Sequence, residues 1–137
     1  NVDRVLQGHD HTYARGSIGQ TPERLALGEE GENVQVMLVN SVSGAKMYEF
    51  SPDGWDSYSE HGVTLQRLAE NTPFFQVISV DGSRLIYEAY TADDQLYDYF
   101  EMLKGANGFK SVSRGERQTI SERRFATTGE FENAPPL

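Results

Sequence analysis

Two histidines, His9 and His11, stand two residues apart in "VLQGHDHTYARG", directly after a short apolar run. Neutral imidazole is the commonest side-chain ligand for metals, so the triplet raises the question of a metal site. Residues i and i+2 of an extended chain leave on the same side, roughly 6.5 to 7 Å apart. Cations in a two-metal hydrolytic centre sit about 3.5 to 4 Å apart, so each imidazole could serve one of them. Gly8 is expected to let the backbone turn sharply out of the strand and approach an ion closely. On spacing alone most such triplets in acidic loops are solvated surface, so the surrounding residues must decide.

Strands are the elements that would position this pair. "VDRVLQG" reads as a short buried strand ended by Gly8, and "VQVMLVNSVSG" as a strand covered on both faces through Val34, Val36 and Leu38. Between them, "GSIGQTPERLALGEEGEN" has the composition of a surface loop with one helical turn at "PERLAL". Pro52, Asp53 and Gly54 favour a tight reversal. The clearest local signal is "FFQVISVDGSRLIYEAYT", in which two β-prone runs flank Asp-Gly. That pattern predicts a hairpin with strands at Phe74–Val80 and Arg84–Tyr90. "DDQLYDYFEMLK" is open: Leu96, Phe100 and Leu103 have helical spacing, while its aromatics suit an edge strand. Beyond Lys104 the pattern fades into a loosely structured tail, 105–137, with a short helix expected around "TISERRF".

Composition narrows the function classes. At 137 residues the chain is long enough for one domain with a real core. Its net charge of -9 argues against nucleic acid and against anionic membrane surfaces as partners, because lysine and arginine carry such binding. No run approaches the roughly 18 apolar residues of a membrane span. The charge is uneven, with a net of -10 over residues 1–104 and +1 over residues 105–137. The chain has no cysteine, which excludes disulfides and thiolate chemistry.

Taken with its surroundings, "VLQGHDHTYAR" resembles the last metal-binding motif of the calcineurin-like metallophosphoesterases, the superfamily that includes purple acid phosphatases. "VNSVSGAKMY" is similar to the family's next strand and turn, and "RLAENTPFFQVISVDGSRLIYEAYTADDQLYDYF" to the closing hairpin of a bacterial branch. The likeness runs from residue 2 to about 104. It implies an α/β fold, of which this chain is the β-rich C-terminal portion of a four-layer α/β/β/α sandwich. On that basis residues 1–104 are the C-terminal part of a metallophosphoesterase domain. The chain is then expected to start mid-domain, just before the last metal-binding strand.

The resemblance assigns His9 to one metal and His11 to the other, in a dinuclear centre of manganese, iron or zinc acting on a phosphate ester. It makes Asp10 a loop residue. Tyr13 and Arg15 would line the substrate mouth, or else serve packing and surface pairing respectively. Lys46 would help hold phosphate, or else be solvated. The family's earlier motifs, Asp-x-His, Gly-Asp-x-x-Asp and Gly-Asn-His, do not occur here. His61 lies downstream and has no place in the family's metal set, so a solvent-facing loop is expected for it. The N-terminal half of the same domain is therefore the implied partner, and the isolated chain would be inactive. Strand edges left without that half would promote self-association. Many relatives of this branch are exported, which admits a periplasmic or cell-surface location. A non-catalytic C-terminal module with vestigial histidines remains the rival reading. A third is an autonomous metal-binding domain built on His9, His11 and acidic residues.

Overall fold

The β-branched and aromatic runs fold as strands wherever they occur in the computed structural model, which describes residues 2–19, 32–41, 43–50, 56–106, 108–114 and 117–123. In chain order the elements are β1 (Arg4–Gln7), β2 (Tyr13–Gly19), β3 (Glu32–Asn40), α1 (Asp56–Glu60), β4 (Thr64–Ala69), β5 (Phe74–Asp81), β6 (Arg84–Thr91), β7 (Leu96–Lys104) and β8 (Lys110–Ser113). The β-rich character expected from the sequence is present. Among the described residues no helix is long and apolar enough to cross a membrane.

The strand order is β4-β2-β3-β8-β7-β6-β5, with β1 added on β3. Two sheets thus meet at β3. Its first residues, Glu32 and Asn33, pair antiparallel with β8, whereas Met37 to Asn40 pair parallel with β1 from Arg4 to Gln7. A lysine guards the seam between these two partners. Lys110 is almost fully buried and donates to the carbonyls of Val2 at 2.9 Å and Gln35 at 2.7 Å. It also lies 2.8 Å from Asp3, which Lys104 joins at 3.0 Å. Hydrogen bonds from Lys110 first, and then Lys104, hold the Asp3 carboxyl below the usual carboxylate range.

The hairpin forms in the predicted place. β5 and β6 pair from Phe74↔Thr91 to Asp81↔Arg84, and Gly82 takes φ 56°. A positive φ at the first turn position is what glycine supplies without a steric penalty. The open segment around Leu96 resolves as strand β7, because each of its faces finds a partner: Tyr97, Phe100 and Met102 enter the core. Two tail features differ from the expectation. Residues 110–113 form β8, because Val112 is buried against the core and the backbone completes ladders with β7 and β3. Residues 119–123 of the expected helix run irregularly along β4, where Ala69 bridges Arg123 and Glu122 accepts from the Leu68 N–H at 2.7 Å. The helical turn at "PERLAL" and the reversal at Pro52–Gly54 lie outside the described residues.

The two sheets face one another through aromatic side chains. Tyr13 of β2, Phe74 of β5 and Tyr97 of β7 meet with ring centroids 4.7 to 5.8 Å apart, within the range favoured for tilted and edge-on pairs. Beside them lies a buried ion pair. Arg15 of β2 grips Asp98 of β7 in a fork, Nε to Oδ2 at 2.6 Å and Nη2 to Oδ1 at 3.0 Å. The Tyr13 hydroxyl donates to the same carboxylate at 2.7 Å, and the Tyr99 amide adds a fourth donor at 3.0 Å. Because Tyr13 gives its proton to Asp98, the Tyr87 hydroxyl 3.1 Å away must donate to Tyr13. Gly16 is required where β2 passes β4, since a Cβ there would meet the Thr64 carbonyl oxygen and Val63 at 2.8 Å.

Asp98→Ala leaves the Arg15 charge buried and uncompensated, and should cost about 3 to 5 kcal/mol in urea unfolding. The apolar double replacement Arg15→Met with Asp98→Leu should cost much less than Asp98→Ala alone; equal or greater loss would show that the pair acts through more than mutual charge compensation.

Burial pushes the hydroxyls of Tyr13 and Tyr87 well up, and that of Tyr97 up to about 12. A raised folded-state value stabilises the fold fully below the unfolded tyrosine value of about 10 and loses that contribution as pH climbs through the folded value. Alkaline unfolding should therefore set in above pH of about 10. Of the seven tyrosines, these three should show tyrosinate absorbance only together with the loss of near-ultraviolet dichroism.

Candidate functional site

The His9 and His11 loop leaves the C-terminal end of β1 and enters β2. Its path departs from the extended geometry that would aim both imidazoles to one side, for residues 9–12 form a bend. His9 carries the turn, with φ 91°, while Gly8 has open space around its α-carbon and no positive φ. A residue with a Cβ is strained there, and such strain persists only where surrounding bonds impose it. The flexibility expected of Gly8 is thus exercised one residue later.

The bonds that impose it come from the end of β3. Asn40, nearly fully buried, donates from Nδ2 to the carbonyls of Asp10 at 3.1 Å and Thr12 at 2.7 Å. The Ser41 amide reaches the Gln7 carbonyl at 3.3 Å. Thr12 Oγ1 donates to the Asp10 carboxylate at 3.1 Å, so Asp10 has the loop-bonding role expected of it. The parallel β1–β3 register places Gln7 beside Asn40, and that is why one amide side chain can span the loop.

His11 is held from the opposite side. Its Nδ1 bonds the Lys46 carbonyl. A carbonyl only accepts, so in the neutral ring Nδ1 carries the proton and Nε2 the lone pair. The ring stacks on Tyr48 with centroids 4.8 Å apart and planes 25° from parallel, and the Tyr48 amide donates to the His11 carbonyl at 3.1 Å. Lys46 is exposed, with its ammonium 5.4 Å from the Tyr48 ring centroid. His9 is exposed at the loop tip.

Other singled-out residues fall elsewhere. Tyr13 is fully buried in the aromatic core, so it packs rather than lining a mouth. Arg15 makes no surface pair but the buried bridge to Asp98. Burial by itself would lower its pKa; the adjacent Asp98 charge outweighs that and raises it. His61 is exposed beside α1, at an apolar hollow it shares with Ile18, Leu38, Tyr58 and Val63. Asn40 carries no chemical signature in the sequence beyond ending an apolar strand, which is why its stapling role is absent from a linear reading.

No family model, no curated protein and no solved structure matches the chain. His11 presents an imidazole of fixed tautomer, and His9 an exposed imidazole at a strained turn. Among the described residues no group of three His, Asp or Glu side chains gathers that could hold an ion. Anionic ligands of the kind that hold two cations together would have to come from outside those residues.

Removing the staple tests how the loop is held. Asn40→Ala should destabilise the protein by about 1 to 3 kcal/mol. It should also accelerate amide hydrogen exchange from His9 to Thr12 while the β5–β6 hairpin stays protected.

Proposed function

We propose that this chain is the C-terminal portion of a metal-dependent phosphoesterase, supplying His9 and His11 as the last two ligands of a dinuclear centre. The observation that carries the reading is the Nδ1 bond from His11 to the Lys46 carbonyl. Metal-bound histidines characteristically donate their second ring nitrogen to a carbonyl or carboxylate, which fixes the tautomer and the ring direction. Here that bond leaves the Nε2 lone pair as the coordinating position. The loop's placement at the C-terminal end of β1 supports the reading as well, since ligands in open α/β sheets bind beyond the carboxyl ends of strands.

The four-layer α/β/β/α arrangement belongs to the same proposal. Strand β1 lies parallel to β3, and Val2 and Leu6 are exposed beside it. An upstream strand of the same domain would extend the sheet there and cover them. Two divalent cations would supply Lewis-acid polarisation of the phosphate ester and a lowered pKa for water. The chain's own contribution is positional: Asn40 and Lys46 hold the backbone and ring that set the two imidazoles.

The test uses the whole protein that contains this chain, assayed on an aryl phosphate with manganese or zinc. His9→Ala and His11→Ala should each lower kcat/KM by at least about 100-fold, since losing a ligand should cost no less than losing its supporting partner. Metal content should fall in parallel. Full activity in both variants would overturn the assignment, and an inert wild-type protein with no bound metal would favour the non-catalytic module.

A further inference from the structure

Outside the histidine loop lies a concavity of about 230 Å³ whose walls carry four arginines, Arg15, Arg67, Arg114 and Arg117. A third of the chain's twelve basic residues thus gather at one place in a protein of net charge -9. We propose that this concavity is a binding site for a small phosphate-bearing anion. The site is separate from the Gly8–Thr12 loop, none of whose residues lines it, and the inference does not rest on the metal reading.

The chemistry of the walls favours an anion over a cation or an apolar ligand. Among the described residues Asp98 is the one carboxylate in the lining, and Arg15 compensates it in the bidentate fork. Arg67 directs its Nε and Nη2 to the carbonyls of Tyr97 and Ile120, which are neutral acceptors and leave its charge in place. The same guanidinium lies 4.1 Å from the Tyr97 ring centroid, so its plane is fixed before any ligand arrives. Arg117 is shared with Glu88 at the rim and stands 5.2 Å from the Tyr99 ring centroid. A guanidinium carries five N–H donors in a planar fork; in Arg15 three of them are engaged by Asp98 and Gln66. The forks match the tetrahedral oxygens of phosphate, and three, those of Arg15, Arg67 and Arg117, are anchored by carbonyl, carboxylate or ring contacts, which reduces the ordering cost of binding.

The location adds a reason. Arg15 and Asp98 belong to β2 and β7, Arg67 to β4, and Arg114 and Arg117 to the segment after β8, so the site forms only when both sheets have closed. Its occupancy should therefore stabilise the whole fold by mass action.

Inorganic phosphate is the probe, with acetate as the competing carboxylate, titrated into the full 137-residue chain at constant ionic strength. Phosphate should raise the unfolding temperature and shift the Arg67 Nε–Hε resonance; acetate should do so more weakly. The rim variant Arg114→Gln with Arg117→Gln should weaken phosphate binding about tenfold or more, with its ligand-free unfolding temperature near that of wild type. Arg84→Gln, which removes an exposed arginine outside the concavity, should bind phosphate as wild type does. A rim variant that folds and binds phosphate unchanged would overturn the proposal. So would acetate binding as tightly as phosphate, or a complete absence of phosphate-dependent shifts.

Discussion

The buried pairing of Arg15 with Asp98 is the contact on which the arrangement of the two sheets depends. β2 and β7 are not neighbours in the hydrogen-bonded order, so no backbone ladder holds one to the other. The guanidinium fork does this across the interior, and Tyr13, Tyr87 and the Tyr99 amide complete its polar shell. A buried ion pair is poor evidence of net stability, because the desolvation of both charges offsets their attraction. Its geometric consequence is firmer. Every alternative register of β2 against β7 would leave a charge buried without its partner, so the pair selects one packing.

That selection carries through to the candidate metal-binding loop. β2 begins only two residues after His11. Fixing Tyr13 and Arg15 in the core therefore anchors the downstream end of the loop, while the parallel pairing of β1 with β3 anchors the upstream end. Lys110 and Asp3 lock the seam at which β1 and β8 share β3. Between two fixed ends the chain has little freedom, and the Asn40 staple takes up what remains. The positive φ at His9 is held by this closure.

The histidine pair was legible from residue types alone, and so was its place after a strand. The surroundings were less so. Arg15 reads in sequence as a polar residue near a loop, yet it is buried because its counter-charge lies 83 residues away on β7. Lys46 suggested a side chain for phosphate, whereas its backbone carbonyl makes the contact with His11. Arg67 lies on β4 while Arg114 and Arg117 share the segment after β8, two stretches well apart in sequence from each other and from Arg15. Only closure of the sheets brings them to one wall. Side-chain pairing over such separations leaves no local periodicity to detect.

Sequence alone determined the elements whose physics is local. Alternating apolar and β-branched residues made strands, and the glycine of Asp81-Gly82 supplied the positive φ of the hairpin turn. What only the tertiary structure decided was everything that depends on a distant partner. The segment around Leu96 has helical and strand spacing at once, and became β7 because β6 and β8 offered edges on both sides. The tail residues 110–113 became a strand because β3 and β7 left room for one. Propensity is worth fractions of a kcal/mol per residue, while a ladder and a buried face contribute several times that together, so at these positions the neighbours settle the conformation.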